Sequence, residues 1–533
     1  MMAIFFLPLR VISMDAIALG VFASRLDAVC DEMGAVLRDA AFSPNIRDRL
    51  DYSCAVFDAQ GGLCAQAAHI PVHLGSMAFA MAGVVAGFDW RDGDMVILND
   101  PYLGGTHLPD VTLIAPLVLD GVLRAFVVNR AHHADIGAES PGSMPLSRHL
   151  DEEGVLIPPR RIMRKGRVLG VLDELVAGHR DPSASRGDLA AQVAANRAGR
   201  AQLGELARRM GGDVFTQALG ELNAYGERLA RAALADLPDG EYSFVDWLED
   251  DGQGHEDLRI QVRVGLSGGE VRVDFSGTAE QVEGNVNCPL SVAAAGVYYV
   301  FRCLMPAHTP ACAGSFSMIQ LSAPAGCLLN AQPPAAVAAG NVETSTRVVD
   351  CLIGALAQAV PDRMPAASHG SMNNLAMGRR KAPAWDYYET IGGGMGAHRR
   401  GDGLDAVQTH MTNTLNTPVE VLETHYPLRV RRYAIRRGSG GAGFHRGGDG
   451  IVREFEFLQD AEISLLTERR RLAPWGAEGG QAGCPGRNCL NGRELPPKTQ
   501  CELRAGDRLS IETPGGGGWG TPPETTVAGE RRC

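Results

Sequence analysis

Apolar residues Ile17, Leu19, Phe22, Leu26, Val29, Met33 and Leu37 recur mostly at steps of three and four. That spacing predicts an amphipathic helix from Asp15 to Asp39, which Ser43-Pro44-Asn45 then ends. Tyr52 to Phe57, Met95 to Leu98, Val111 to Leu119 and Arg124 to Asn129 read as strands, several apolar enough to be buried. Asp120-Gly121 between the last two reads as a hairpin turn. Asp188 to Ala235 is rich in Ala, Leu, Arg and Glu, with Gly211-Gly212 as a break, and predicts a helical pair that divides the chain. Tyr242 to Leu248, Leu258 to Val264 and Val271 to Phe275 alternate and are separated by turn residues, as in a meander. Val292 to Cys303 and Ser345 to Val360 read as helices, the second with Thr344 or Ser345 as N-cap. From residue 417 onward, strands and Gly-rich turns return.

The elements add up to an α+β fold: a large multi-layer body with several mixed or antiparallel sheets and a central helical segment. The predicted regions are an N-terminal extension (1–13), an α/β region (14–187), a helical segment (188–236) and a β-meander with an α/β part (237–416). A β-rich, Gly-rich region (417–522) and a disordered tail (523–533) complete the chain. Residues 1–13 are expected to fray, with Met14 as an alternative start.

Composition narrows the function. Lys and Arg total 50 against 62 Asp and Glu, a formal net charge of -12. Such a balance argues against nucleic acid, whose binding rests on clustered positive charge. The apolar run Ala3 to Leu9 is too short to span a bilayer and lacks a basic segment before it, so no membrane or export role is expected. Twelve cysteines are scattered without a C-x-x-C pair, which favours reduced thiols in a cytoplasmic protein over a disulfide scaffold or a thiolate zinc site.

The sharpest chemical signal is a doubled His-x-x-Asp. His107-Leu108-Pro109-Asp110 precedes one strand of the hairpin and His132-His133-Ala134-Asp135 follows the other. The entry of one hairpin strand lies beside the exit of its partner, so both sets are brought to one end. Imidazole with carboxylate suits Mn²⁺, Fe²⁺ or Zn²⁺. A lone His at a strand end is more often simply satisfied or solvated; two such units on one hairpin are harder to dismiss. His133 should point away from His132 if the strand continues.

Weaker candidates surround this pair. His69 and His73 lack a carboxylate in their motif, and Pro71 argues against a helix joining them, so a structural role is expected. Asp48 and Asp51 lie among Arg47 and Arg49, and salt bridges are the simple account, a further carboxylate ligand the sharper one. Gly392 to Gly394 and Gly438 to Gly450 could cradle anions, but tight turns are commoner. No G-x-x-x-x-G-K-[ST] occurs, so the chain shows no nucleotide site of its own.

Longer motifs carry a resemblance. Asn99-Asp100-Pro101-Tyr102-Leu103-Gly104-Gly105-Thr106-His107-Leu108-Pro109-Asp110 resembles the hydantoinase B/5-oxoprolinase family, as do Gly340-Asn341-Val342-Glu343-Thr344-Ser345, Ser371 to Leu375, Tyr388-Glu389-Thr390, Asn416 to Glu420, Arg446 to Gly450 and the terminal TPGGGGWG. The resemblance runs from Asp15 to Pro522. It implies the B-type subunit of an ATP-dependent enzyme that opens lactam or imide rings. An A-type partner would carry ATP and Mg²⁺ and phosphorylate the substrate. In a related branch, the large subunits of ketone carboxylases, a Mn site is built from His-x-x-Asp and a later His. Carried over by position, the ligands are His107, Asp110 and His132. The chain departs from the family at TPACAGSFSMIQ between Thr309 and Gln320, at His369 and at Asp48, where Glu is common. These departures bear on the substrate rather than the family.

The expected chemistry is attack of a metal-bound water on a phosphorylated amide, with Asp135 as fourth ligand or general base and His133 beside it. Asn341, Glu343, Asn373 and Asn374 are candidates for holding the cyclic amide; loop hydrogen bonding and capping explain them equally well. A ketone carboxylase subunit and a non-catalytic scaffold are the alternatives.

Overall fold

Asp15 caps the first helix, its carboxylate accepting from the Ala18 N–H, and α1 (Ala16–Ala40) buries the stripe Leu19, Phe22, Leu26, Val29, Met33 and Leu37. Each fully buried leucine on that stripe contributes ~1.5–3 kcal/mol of transfer free energy. The computed structural model describes residues 14–523 except His69; the extension 1–13, the tail beyond residue 523 and His69 lie outside the described residues.

The stripe packs on a seven-stranded antiparallel sheet. Its strands are β1 (Tyr52–Asp58), β2 (Leu63–Ala68), β3 (Met95–Leu98), β4 (Asp110–Leu119), β5 (Val122–His132), β6 (Arg160–Arg164) and β7 (Arg167–Val168), in the spatial order β2-β1-β5-β4-β3-β6-β7. The sheet is buried on both faces, and alternation decides which residue meets which helix. Val111, Leu113, Val127 and Ala131 share a core with α1. Ile114, Phe126 and Val128 share one with Met77, Ala80 and Met81 of α3 (His73–Val84), which follows the short α2 (Pro44–Arg47).

After α4 (Val171–Val176), the predicted helical pair is α5 (Pro182–Met210) and α6 (Gly212–Ala235), broken at Gly211, whose φ is +84°. Helix α5 carries buried polar residues Asp188, Gln192 and Asn196 at four-residue spacing. Gln192 and Asn196 donate to the backbone carbonyls of Val111 and Leu113, and both bond the side chain of Asn129. The same Gln192 receives His133, at 2.9 Å.

The meander is β8 (Gly240–Asp250), β9 (Glu256–Ser267) and β10 (Glu270–Asp274), extended by a parallel β11 (Ile319–Ser322). The helices α7 (Leu290–Leu304) and α8 (Ser345–Leu356) share its apolar core. The start of α8 differs from expectation. Neither Thr344 nor Ser345 caps it; the chain enters through a π-turn, Gly340–Thr344, that runs on into the helix. Two further antiparallel sheets follow, the first built on β12 (Asn374–Arg379) and β13 (Trp385–Glu389) with Ala461–Leu466 and Lys498–Leu503. The Gly-rich segments cross one another backbone to backbone: a Cβ on Gly447 would stand 2.0 Å from the Gly516 carbonyl oxygen. They serve as close crossings in a β-rich region. Among the described residues, no helix is long and apolar enough to cross a membrane, and ten cysteines carry free thiols.

Candidate metal centre

The turn Asp120-Gly121 has φ of +53° and +79°, the pair of left-handed residues a tight hairpin requires. It sets a register in which Asp110 lies directly across from His132. His107 arrives from the preceding loop. Asn99 fixes that loop, donating to the carbonyls of Leu108 and Val155 and accepting from the Ile157 N–H.

One atom from each of His107, Asp110 and His132 lies within 4.8 Å of the others, and all three residues are buried. The Asp110 Oδ1 is 3.4 Å from His107 Nε2 and 3.3 Å from His132 Nδ1. The other carboxylate oxygen is held: Thr106 donates to Oδ2 at 2.5 Å, His73 Nε2 stands 3.4 Å away and Asn341 Nδ2 donates at 3.5 Å.

This donor set fits a divalent cation. His107 Nδ1 faces the Ala338 carbonyl at 3.2 Å, and a carbonyl only accepts, so Nδ1 carries the proton. In the neutral ring Nε2 is then a bare lone pair aimed at Asp110 Oδ1. Both atoms, and His132 Nε2, are buried without a hydrogen-bond partner. Two facing lone pairs in a buried site call for a cation or a proton between them. The cavity they line measures about 20 Å³, the scale of one ion or water.

Electrostatics point the same way. Burial opposes a charge on His107, but the Asp110 carboxylate outweighs it and raises the histidine above its ordinary pKa. Burial would raise Asp110; His107 and His73 beside it hold it well below the usual carboxylate range. Burial lowers His132.

The rest of the cavity wall includes Asp51, Ile70, Val72, His73, Asn341, Met372, Tyr388, Thr390, Thr412 and Thr414. Tyr388 stacks on His132 with ring centroids 4.9 Å apart and planes at 9°. Its hydroxyl donates to Asn374 Oδ1, and Asn374 Nδ2 donates to Glu343 Oε1. Glu343 Oε2 is buried without a partner, and burial lifts this carboxyl to about 7. Arg49, fully buried, donates to the Tyr388 carbonyl, to Asn45 and to Thr390, and stands 3.7 Å from Asp51.

Among the residues anticipated from sequence, His107, Asp110 and His132 come together, and Asn341 joins them at the cavity wall. Asn374 and Glu343 stand behind Tyr388. Asn373 does not reach the site: its Nδ2 ties the carbonyls of Ser371 and Ile391. Nor does the structure bring in Asp135 and His133. The carboxylate of Asp135 accepts from the Gly137 and Arg180 N–H groups, and both side chains line a separate cavity of about 320 Å³ on the α5 side of the hairpin. The alternation that sends His132 to one face sends His133 to the other. Asp48 pairs with Arg47 at the surface. His73 is the residue that sequence undervalued. Helix α3 begins at His73 and sets it against Asp110, with its Nδ1 on Ser53.

The hydantoinase B/oxoprolinase family profile matches residues 15–522. The chain belongs to that family. It is 36% identical to 5-oxoprolinase 1 of Arabidopsis thaliana over 95% of its own length and 42% of that protein. It thus spans about two-fifths of such eukaryotic relatives. It is 34% identical to the B-type subunit of a putative D-/L-hydantoinase from Pseudomonas sp., over 96% of this chain and 90% of the other. The crystal structure of ATP-dependent caprolactamase from Pseudomonas jessenii superposes with a TM-score of 0.89 at 29% identity, covering 97% of this chain and 93% of that one. A nucleotide-free acetone carboxylase shares the fold, with a TM-score of 0.86 at 19% identity over 95% of this chain and 76% of that one.

Proposed function

We propose that this chain is the B-type subunit of an ATP-dependent cyclic amidase, acting on a lactam or imide ring that an A-type partner has phosphorylated. The observation that carries the reading is the convergence of His107 Nε2, Asp110 Oδ1 and His132 on one ion-sized cavity, each with an unpartnered buried atom. Support for ring opening comes from relatives named as 5-oxoprolinase, hydantoinase and caprolactamase. Support for a partner comes from the hydantoinase relative, which is named as one subunit of its enzyme, and from the eukaryotic relatives, of which this chain matches only about two-fifths.

A divalent ion held by His107, Asp110 and His132 would supply a water acidic enough to ionise near neutral pH. The chain's own residues do the rest. Ala338 and Thr106 fix the orientation of His107 and Asp110. His73 and Asn341 hold the outer oxygen of Asp110, and the Asn341 Oδ1, buried and unpartnered, is free to accept from a ring N–H. Ile70, Val72 and Met372 exclude bulk water. Asp135 and His133 have no part in this reading.

The test is co-expression with the ATP-binding partner and measurement of ATP-coupled ring opening of hydantoins, 5-oxoproline and larger lactams, with metal content determined on the same sample. Asp110→Asn is expected to remove the metal and to lower turnover at least about a hundredfold with the complex intact. Turnover that survives metal loss refutes the catalytic centre and leaves a scaffold; turnover that requires bicarbonate identifies a carboxylase instead.

A further inference from the structure

The cavity of about 320 Å³ on the α5 side of the hairpin takes no part in the proposed reaction. Its walls come from stretches far apart in sequence: residues 42–47, the chain just past β5, the start of α5, the start of β13 and the end of α9 (Val419–His425). A volume of this size lies at the lower end of the range for small-molecule sites.

Two side chains in its wall are almost wholly buried, and each keeps an acceptor without a donor. Asp188 is 2% exposed. Its Oδ1 accepts from the Phe42 and Ser43 N–H groups, and its Oδ2 has no hydrogen-bond partner among the described residues. His133 is buried to the same degree. The amide nitrogen of Gln192 donates to the Val111 carbonyl and to Asn129 Oδ1, so its oxygen accepts from His133 Nε2. The second ring nitrogen of His133 has no partner among the described residues. Neither of these two free atoms is sealed in by protein; each opens on the cavity that both residues line.

Charge runs the same way. Asp135, Asp188 and Asp386 line the cavity, with the exposed Asp181 at its rim. Arg180 is bonded among them, 2.8 Å from Asp386 and 3.9 Å from Asp135. Arg47 and His425 stand exposed at the rim, and Arg47 is bonded to Asp48. Burial, with Asp135 nearby, lifts the Asp386 carboxyl to about 7 in spite of Arg180. Trp385 and Tyr426 supply aromatic walls, their ring centroids 5.7 Å apart and their planes at 54°. Free acceptors, surplus carboxylate and aromatic faces together fit an ammonium group, which brings three N–H donors and a charge that aromatic faces attract. An anion would meet carboxylates, and an apolar molecule would leave both acceptors unpaired.

We propose that this cavity is a second binding site, for a small organic ammonium ion, distinct from the metal centre on the opposite face of the hairpin. The proposal does not depend on the metal centre.

The test uses the purified full-length chain at pH ~8, where histidine is neutral. Calorimetric titrations compare n-butylammonium with n-butanol and n-butyrate, which share its chain and differ in charge. Butylammonium is expected to bind at least about tenfold more tightly than either, and added Mn²⁺ is expected not to displace it. Asp188→Asn keeps an oxygen for the two N–H groups and removes the charge; it is expected to weaken butylammonium about tenfold and to leave butanol unchanged. Ala184→Phe, which fills the cavity from α5, is expected to abolish binding. If Ala184→Phe fails to fold, Trp385→Leu removes an aromatic wall and is expected to weaken butylammonium about fivefold. No binding of butylammonium, equal binding of all three probes or a preference for butyrate overturns the proposal. So does binding that persists unchanged in Asp188→Asn and Ala184→Phe, or that Mn²⁺ displaces.

Discussion

Tyr388 shows how a single side chain can act on the centre through another. It lies flat on His132 while its hydroxyl is turned away, onto Asn374. The two contacts can be separated. Tyr388→Phe keeps the stacked ring and leaves Asn374 Oδ1 buried without its donor, which is expected to cost ~1–3 kcal/mol of stability and to leave metal affinity unchanged. Tyr388→Leu removes the flat surface that fixes the imidazole plane. Metal affinity is then expected to fall ~10-fold or more, the usual consequence of freeing a ligand's orientation. Thermal unfolding with and without Mn²⁺ distinguishes the two, and equal metal affinities in both variants would show that stacking does not orient His132.

Among the elements, the β4–β5 hairpin was legible apart from its ends: β4 begins at Asp110 and β5 runs from Val122 to His132, so both site residues lie within the strands. Two apolar runs, an Asp-Gly turn between them and a His/Asp pair at the open end point to the register in which Asp110 meets His132. What stayed hidden depends on packing between elements far apart in sequence. His73 reaches Asp110 only because α3 folds across the sheet. The Asp135 carboxylate, just past the end of β5, is captured by the Gly137 and Arg180 N–H groups, a capture no spacing announces. The entry to α8 departs from its pattern for a related reason: Thr344 has the chemistry of a cap, but its hydroxyl donates to the Val286 carbonyl and the backbone continues as a π-turn. Such turns recur at functional sites, and this one carries Asn341 and Glu343. Its first residue, Gly340, lies so close to the next segment that a Cβ there would stand 1.8 Å from the Asn287 carbonyl oxygen. Backbone cannot yield as a side chain can. Gly340→Ala is therefore expected to cost ~2–3 kcal/mol or more and to withdraw Asn341 from Asp110, raising KM for the ring more than it lowers metal affinity. A variant with wild-type melting temperature and KM would show that the turn is free to shift.

At the scale of the whole molecule, assembling four sheets around buried polar groups leaves titratable side chains that cannot follow the solvent pH, and these act in opposite directions. Burial, with His410 nearby, pushes His369 down to about 3. An unfolded histidine takes up a proton below ~6.5. Between those values the unfolded chain binds more protons than the native one, so stability drains away as pH falls. His369→Gln removes that term. The variant is expected to gain on wild type by up to ~1.4 kcal/mol for each unit of acidification between pH ~6.5 and ~4. Glu343 has the opposite sign. Its folded carboxyl keeps its proton up to about 7, whereas an unfolded glutamate releases it near ~4.3. The native chain then binds more protons, and stability is lost as pH rises through that window. Glu343→Gln is expected to gain on wild type as pH rises from ~4.5 to ~7 and to show no pH-dependent difference below. Urea unfolding of the three chains across pH 4–8 decides the matter: crossing profiles, with the two variants tilted in opposite senses, follow from these burial shifts. Parallel profiles would mean that both side chains reach water in the native state, and the closed interior behind the metal centre would have to be redrawn as a wet one.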